Sequence, residues 1–301
     1  MPFFSVIIPT YNRANYIKRA IQSVLDQSFT DFELIVIDDA STDNTASLLK
    51  PYKDNSKVRI ITNDINLERS ASRNIGIDTA CGTYICFLDS DDYYLTYHLK
   101  GLYDLIQVQG LAKALFHSNV IKNIGGVDRF TNISVDLDCP VESVIENHIP
   151  VITVAIHREI LEEEKFPVDL YINEDVFLFA KIVAKYPVHD NNQATVVWFI
   201  HEGNTKEKVK DYITPQIVAA KKIFENSSLS LHISKDFKKR RFHELYTALV
   251  HRNVRNFVKA IYYLGMAWWY KPGVLSNQNA IADIVYHIPG GKFLKRLKKG
   301  F

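Results

Sequence analysis

The feature that most constrains this chain is an acidic cluster that directly follows an apolar, β-rich run. Asp89, Ser90, Asp91 and Asp92 come after residues 83–88, which have the composition of a buried strand. Carboxylates a few ångströms apart repel one another, so such a cluster is costly unless a cation lies beside it. Hard oxygen ligands favour Mg²⁺ or Mn²⁺, which usually complete their coordination with substrate phosphates. The cluster therefore predicts a metal-assisted site for a nucleoside diphosphate, with a solvated turn as the simpler alternative.

The first hundred residues alternate apolar strands with helical patterns. Strands are predicted over residues 3–9, 33–37, 58–62 and 83–88, and helices over residues 16–27, 41–49 and 71–80. This alternation predicts an α/β fold with a mainly parallel sheet flanked by helices. Ligands bind beyond the carboxyl ends of strands in such sheets. The polar residues after the first, second and fourth strands should therefore line one crevice.

The rest of the chain is less regular and then becomes helical. Strands are predicted over residues 112–121, 127–135, 151–157 and 195–200, and helices over residues 158–165 and from Asn173 onward. Beyond about residue 209 the apolar spacing is helical throughout. We therefore predict an α/β domain over residues 1–208 and a helical C-terminal region over residues 209–301.

Charge and composition argue against several classes of protein. The formal net charge is +2, whereas nucleic-acid-binding domains are usually strongly basic, so no nucleic-acid partner is expected. The cysteines are odd in number and lack a C-x-x-C pair, which predicts buried reduced thiols in a cytoplasmic protein. No basic leader precedes the first strand, and no apolar run reaches the roughly 18 to 20 residues that span a bilayer. We therefore expect a cytoplasmic protein without a membrane span.

Several acidic and aromatic residues are candidate site residues, although each also has a structural explanation. Asp38 and Asp39 could cap the following helix, or one of them could accept hydrogen bonds from a nucleobase or a ribose. Tyr11 could be an ordinary half-buried aromatic residue or could stack on a base. Glu174 and Asp175 could simply favour the positive end of a helix dipole.

Three basic residues carry the same ambiguity. His201 ends an apolar strand, where a histidine is more often a packed residue than a ligand. Arg69 and Arg73 lie one helical turn apart and point the same way. They could form a solvated face or a clamp on phosphates. Spacing alone leaves these alternatives open.

Taken together, these residues resemble one known family. Four runs have the order and spacing of the family-2 glycosyltransferases: VIIPTYNR at residues 6–13, ELIVIDDASTD at 33–43, ASRNIGI at 71–77 and GTYICFLDSDD at 82–92. The resemblance continues more weakly at Glu174-Asp175 and over residues 198–201. It implies the GT-A fold, in which a mixed, mainly parallel sheet is flanked by helices. It also implies a transferase that inverts the anomeric configuration of the sugar.

The resemblance assigns expected roles to individual positions. Asp175 would be the catalytic base, with Glu174 beside it. Asp91 would be the most direct ligand of Mn²⁺ or Mg²⁺, with Asp89 and His201 as further ligands. Asp39 would accept the ring N–H of the nucleobase. The full set expected to hold the nucleotide is Pro9, Thr10, Tyr11, Arg13, Asp38, Asp39, Arg69, Arg73, Asp89 and Ser90.

The implied reaction is one displacement at the anomeric carbon of a nucleotide-sugar, with a metal neutralising the departing diphosphate. A UDP-sugar is the expected donor, although a carboxylate that reads one ring N–H also accepts thymine, and guanine less readily. The expected acceptor is a hydroxyl of a glycan or of a polyprenyl-linked sugar. Residues 165–167 read Lys-Phe-Pro where many relatives carry Gly-Phe-Asp, which leaves the acceptor side open.

Other classes of protein fit these residues less well. A nucleotidyltransferase or a Rossmann dehydrogenase would carry a glycine-rich loop after the first strand, and residues 9–13 contain no glycine. An aspartyl-phosphate phosphatase would carry a D-x-D-x-T-like run, which DSDDY at residues 89–93 is not. An inactive nucleotide-sugar-binding protein is the non-enzyme alternative, against which the intact acidic residues and His201 argue.

The C-terminal region has features of a membrane interface. Aromatic residues cluster between Lys259 and Lys271, and residues 291–299 (GKFLKRLKK) are basic with apolar insertions. Such a segment suits peripheral contact with anionic lipid on the inner face of the plasma membrane. The alternative is a packed helical subdomain followed by a disordered, solubilising tail.

Overall fold

The computed structural model describes residues 1–201, 211–253 and 257–270. The chain divides into two units, Met1–Lys208 and Val209–Phe301. The predicted basic tail lies outside the described residues. In the described ranges, no helix combines the length and the apolar composition needed to cross a membrane.

The first unit is built on one mixed sheet. Its nine strands within the described residues are β1 (Phe4–Thr10), β2 (Phe32–Asp38), β3 (Val58–Thr62), β4 (Tyr84–Phe87), β5 (Tyr93–Tyr94), β6 (Leu115–Ile124), β7 (Val127–Thr131), β8 (Val154–His157) and β9 (Val188–Ile200). The strand order is β3-β2-β1-β4-β8-β6-β9-β5, and β7 pairs with β6. The predicted mixed sheet is confirmed.

Helices connect these strands and make up most of the described part of the second unit. The first unit contains α1 (Ile17–Leu25), α2 (Thr45–Leu49), α3 (Glu68–Thr79), α4 (His98–Val108), α5 (Pro140–Asn147), α6 (Arg158–Glu163) and α7 (Glu174–Val183). The second unit contains α8 (Ile213–Glu225), α9 (Lys235–Arg252) and α10 (Phe257–Tyr270). Short 3₁₀ turns lie at Lys50–Tyr52, Val151–Thr153 and Ser230–His232.

The parallel part of the sheet explains why the polar residues converge. β1 pairs in parallel with both β2 and β4, and β2 pairs in parallel with β3. Side chains such as Ile7, Ile35 and Phe87 are fully buried, as expected for parallel strands that are covered on both faces. Thr10 at the end of β1 lies opposite Asp38 at the end of β2. The loops that follow these strands therefore emerge at the same edge of the sheet.

A glycine lets α3 lie directly against β1. A β-carbon added at Gly76 would come within 2.5 Å of Ile7 Cγ2, a distance that real side chains do not adopt. Gly76 thus permits a close approach that a larger residue would prevent. The approach places Arg73, one turn earlier in α3, near the edge where the strands end.

The second half of the first unit departs from several sequence predictions. Helices α4 and α5 and strand β5 were not predicted. The strand predicted over residues 151–157 begins as a 3₁₀ turn, because Thr153 N donates to Pro150 O. The prediction of buried thiols is wrong for Cys81, which is exposed on the loop before β4, whereas Cys86 is buried.

Candidate functional site

The loops after β1 and β2 are tied together by hydrogen bonds of Asn12 and the residues that follow it. Asn12 Oδ1 accepts hydrogen bonds from Thr42 N at 2.8 Å and Asp43 N at 3.2 Å. Asn12 N donates to Ser41 Oγ at 3.0 Å. These bonds fix the loop that presents Tyr11, whose side chain is exposed. The predicted residues Pro9 and Thr10 lie just before it and are buried.

The two aspartates that follow β2 have different roles. Asp38 Oδ1 accepts from Ser41 N at 3.1 Å within the loop, but it does not cap the following helix, because α2 begins at Thr45 and its N-cap residue is Asn44. Asp39 Oδ1 accepts from Asn63 Nδ2 at 2.7 Å and from Leu67 N at 2.9 Å. No donor to Asp39 Oδ2 is found among the described residues. That oxygen is therefore available to an N–H group of a ligand.

Arg73 joins the acidic loop after β4 to the start of α7. Its guanidinium is buried, with Nη2 donating to Asp89 Oδ1 at 2.8 Å and Nη1 donating to Glu174 Oε1 at 2.9 Å. The guanidinium also lies 5.2 Å from the centre of the Phe166 ring. Burial alone would lower the pKa of Arg73, but Asp89 and Glu174 raise it above its ordinary value. Arg73 is therefore a charged bridge between two elements of the site.

Arg69 approaches the same carboxylate from one helical turn earlier. Its Nε lies 3.7 Å from Glu174 Oε1, and its guanidinium lies 5.3 Å from the Tyr171 ring centre. Burial, followed by repulsion from Asp175, raises the pKa of Glu174 in spite of the two arginines. The two arginines thus point the same way, as the spacing indicated. Their binding to phosphates stays a prediction.

Asp91 and His201 form the second polar contact of the site. His201 Nε2 lies 3.1 Å from Asp91 Oδ2, and Arg13 Nε lies 3.5 Å from the same oxygen. His201 Nδ1 lies 3.2 Å from the Tyr16 hydroxyl. The loops after β1 and β4 and the end of β9 therefore meet at Asp91.

Arg19 supports the backbone of the acidic loop. Its Nη2 donates to Asp91 O at 2.6 Å, and its guanidinium lies 4.7 Å from the Tyr93 ring and 4.2 Å from the Phe199 ring. Arg19 and Tyr16 were not predicted, since both belong to the ordinary amphipathic pattern around α1. Only the three-dimensional contact reveals them.

Asp92 secures the other end of the acidic loop. Its side chain is buried, and Oδ1 accepts from Phe199 N at 2.8 Å. Burial, followed by the charges of Asp91 and Asp89, raises the pKa of Asp92 well above its ordinary value. Asp92 thus fastens the loop to β9, while the predicted residue Ser90 is buried within the same loop.

Asp175, the predicted base, is paired with a histidine that the sequence analysis missed. His148 Nε2 lies 3.0 Å from Asp175 Oδ2, and Val176 N donates to Asp175 Oδ1 at 2.8 Å. Burial would raise the pKa of Asp175, but the charge and hydrogen bond of His148, the charge of Arg73 and the hydrogen bond from Val176 N together lower that pKa to about 2. His148 follows an unpredicted helix, and no motif in the sequence marks it.

Backbone strain is concentrated around these residues. Seven non-glycine residues have positive φ in the described part of the chain. Five of them adjoin the site, namely Asn12 (52°), Ala40 (61°), Glu68 (70°), His148 (53°) and Asn173 (62°). Such conformations cost free energy and persist only where the surroundings enforce them, most often at functional sites.

The residues present offer two ligands to a divalent metal. Within the described residues, no group of three or more His, Cys, Asp or Glu side chains is arranged to hold an ion. Asp91 and His201 nevertheless meet at 3.1 Å, and a metal on this pair could complete its coordination with phosphate oxygens. Asp89 Oδ1 is engaged by Arg73, so a role for Asp89 as a ligand stays a prediction.

A continuous set of contacts brings the candidates into one site. Asn63 Nδ2, which binds Asp39, also lies 3.4 Å from Ser72 Oγ in α3. The next residue of α3 is Arg73, which reaches both Asp89 and Glu174. The residues that follow β1, β2 and β4 therefore lie close together, and the start of α7 joins them.

Comparison with known proteins gives the same picture. The family model described as "Glycosyl transferase family 2" matches residues 5–129. An uncharacterized glycosyltransferase of Haemophilus influenzae is 32% identical over 168 residues, which cover 56% of this chain and 67% of the relative. The Escherichia coli protein named UDP-Glc:alpha-D-GlcNAc-diphosphoundecaprenol beta-1,3-glucosyltransferase WfgD is 28% identical over 193 residues, covering 64% and 72%.

A longer match and a solved structure extend this result. The GalNAc(5)-diNAcBac-PP-undecaprenol beta-1,3-glucosyltransferase of Campylobacter jejuni is 28% identical over 256 residues, 79% of each chain. The crystal structure of S. aureus TarS 1–349 in complex with UDP superposes with a TM-score of 0.65 at 20% identity, covering 95% of this chain and 81% of TarS. This match confirms the predicted GT-A fold. The motifs, the fold and the relatives agree, and the chain belongs to glycosyltransferase family 2.

Proposed function

We propose that this protein transfers a sugar from a UDP-sugar to a hydroxyl of a polyprenyl-linked glycan, with a divalent metal and with inversion at the anomeric carbon. The observation that carries the proposal is the buried Arg73 bridge between Asp89 and Glu174. It fixes the acidic loop relative to the start of α7. Asp91, the proposed metal ligand, and Asp175, the proposed base, are close in sequence to the bridged residues and would thereby be held in one site.

The donor would be held at the ends of β1 and β2. Asp39 Oδ2 would accept the ring N–H of uracil, and the exposed Tyr11 ring would stack on the base. The TarS structures with UDP and with UDP-GlcNAc, and the UDP-Glc in the name of the E. coli relative, support a uridine nucleotide. Residues 1–208 would form the catalytic domain.

Asp91 and His201 would hold Mn²⁺ or Mg²⁺ beside the diphosphate. When bound, the ion would neutralise the negative charge that develops on the departing UDP. Arg13, whose Nε lies 3.5 Å from Asp91 Oδ2, would add a fixed positive charge at the same place. Charge stabilisation of this kind is often the largest single contribution to catalysis.

Asp175 would accept the proton of the acceptor hydroxyl as that oxygen bonds to the anomeric carbon. The bond from that carbon to the diphosphate breaks in the same step, and UDP leaves with the electron pair. A single displacement inverts the configuration. Glu174 is already engaged by Arg73 and would orient the start of α7 instead of taking the proton.

The acceptor side is supported by the names of two relatives and by the second unit. The E. coli and C. jejuni enzymes are both named for substrates linked to diphosphoundecaprenol or PP-undecaprenol. On α10 the aromatic residues Tyr262, Trp268 and Trp269 are exposed, as at a membrane interface. A location at the inner face of the membrane would bring the enzyme to such a lipid-linked acceptor.

A panel of nucleotide-sugars tests this function. We expect the full chain with Mn²⁺ to release UDP from UDP-glucose or UDP-N-acetylglucosamine, and to release GDP from GDP-sugars at a much lower rate. Asp175→Asn should lower turnover by about 10²-fold or more, as the loss of a general base does, while UDP binding persists. Binding without release from any UDP-sugar would instead indicate an inactive binding protein. Release of pyrophosphate from nucleoside triphosphates would indicate a nucleotidyltransferase.

A further inference from the structure

The contact with His148 helps to fix the orientation of the Asp175 carboxylate, which is the proposed base. Asp175 Oδ1 accepts from Val176 N at 2.8 Å, and Asp175 Oδ2 lies 3.0 Å from His148 Nε2. Each carboxylate oxygen therefore already has a partner. The acceptor hydroxyl would therefore give its proton to a carboxylate that also interacts with His148.

The backbone position of His148 is fixed by a hydrogen bond to α5 and by the buried residue that follows it. His148 N donates to Val144 O at 3.1 Å at the end of α5, and the fully buried Ile149 follows. His148 itself has a φ of 53°, a conformation that glycine adopts more readily than a residue with a β-carbon. The side chain present at this strained position makes the contact with Asp175. An observed outlier at a site is a sound starting point for a functional hypothesis.

We propose that His148 is a positioning residue for the catalytic base: it orients Asp175 through one hydrogen bond, and only its neutral form leaves Asp175 basic enough to take the acceptor's proton. This inference rests on the proposed function. An imidazolium 3.0 Å away stabilises the charged carboxylate and so weakens it as a base. A neutral imidazole that donates Nε2–H keeps the orientation without the full charge.

The charged groups around His148 determine the direction in which its pKa shifts, and therefore how the rate of transfer should depend on pH. The His148 side chain is 43% exposed. Partial desolvation by its neighbours would lower its pKa, but Asp175 and then Glu174 raise it above its ordinary value, against a smaller opposing effect of Lys122. His148 therefore loses its proton above the ordinary range of histidine. Transfer should accelerate as pH rises through that value.

Two substitutions separate positioning from a purely structural role. His148→Gln keeps an N–H donor that can reach Asp175 but cannot titrate. His148→Gly removes the donor and relieves the positive φ. His157→Gln removes a titratable histidine on β8 and serves as the matched control. The readout is the rate of UDP release with Mn²⁺ from UDP-glucose or UDP-N-acetylglucosamine, whichever the wild-type protein turns over faster, between about pH 5.5 and 8.5.

We expect the wild type and His157→Gln to show a rate that rises with pH. His148→Gln should lose that rise, and His148→Gly should lower kcat by about 10²-fold with the KM for the donor changed little. A wild-type pH profile in His148→Gln, or a wild-type kcat in His148→Gly, would overturn the inference. If His148→Gly does not fold, as judged by UDP binding, the His148→Gln profile decides. Inactive Asp175→Asn beside normal His148 variants would leave the proposed function standing and remove only this inference.

Discussion

At the scale of single residues, the site depends on charges that can be buried only because each has a partner. Asp39, Asp91 and Asp175 could be singled out from the sequence, because they follow predicted strands or open a predicted helix. His201 and Arg13, which contact the Asp91 carboxylate, could be singled out as well. Asn63, His148 and Arg19 could not be, since they belong to no motif. Acidic site residues at strand ends can thus be predicted from the local sequence pattern. The contacts that orient them and shift their pKa values depend on the tertiary fold.

Arg73 gives the clearest prediction at this scale. Arg73→Met would leave Glu174 buried without its close partner, and breaking a buried ion pair in this way typically costs about 3–5 kcal/mol. The matched control is Arg69→Met, which removes a more exposed and longer contact and should cost about 1 kcal/mol or less. Urea unfolding of the two variants measures the difference.

The pH dependence of this loss has a definite sign. The pKa of Glu174 is already raised, and removing Arg73 would raise it further. The folded variant would then bind a proton that the unfolded chain binds less tightly, so its stability should fall as pH rises. The destabilisation of Arg73→Met should therefore shrink on acidification towards the raised pKa of Glu174. An equal loss for both variants at neutral pH would contradict the larger contribution predicted for the buried Arg73 bridge.

At the scale of elements, the sequence predicts best where apolar spacing alone determines the structure. β1, β2 and β3 and helix α1 follow the predicted ranges to within a few residues, because each has one strongly apolar face or run. Helix α3 also follows its predicted range, although most of its buried residues are polar or glycine. The start of β9 was missed, since polar residues 189–193 interrupt its apolar pattern while it still pairs with β6. Helix α5 was missed as well, and with it the place of His148.

The packing of α3 on β1 can be tested with two glycines. Gly76→Ala would place a β-carbon 2.5 Å from Ile7 Cγ2, and such overpacking typically costs about 1–3 kcal/mol. Gly101→Ala in α4 is the control, because its β-carbon would meet nothing closer than 3.4 Å. The higher helix propensity of alanine should stabilise that variant by up to about 1 kcal/mol. Thermal unfolding that ranks Gly76→Ala at or above Gly101→Ala would contradict the close approach.

At the scale of the whole molecule, the fold and the family could be predicted because four motifs occur in a fixed order along the first hundred residues. The acceptor side could not, because it depends on loops and helices with no such motif. The location of the protein, at a membrane or away from one, also depends on the whole molecule. The exposed aromatic residues of α10 and the basic tail lead us to expect binding to vesicles that contain anionic lipid.

Vesicle flotation tests the expected membrane contact. Full-length protein should float with vesicles of phosphatidylglycerol and phosphatidylcholine, while a chain ending near Pro289 should float less, since each basic residue near an anionic surface contributes about 1 kcal/mol. Replacing Trp268 and Trp269 together by serine should reduce flotation through lost apolar contact. Equal recovery of all three proteins in the vesicle fraction, or of none, would contradict peripheral membrane binding.

The most direct test of the central claim is calorimetry of UDP binding with and without Mn²⁺. The claim is that Asp91 and His201 hold a cation against the diphosphate, in the same site as the base. We predict Mn²⁺-dependent UDP binding in the wild type and in Asp175→Asn, with about tenfold or greater weakening when a metal ligand is lost in Asp91→Ala. Unchanged Mn²⁺-dependent affinity in Asp91→Ala would contradict the account.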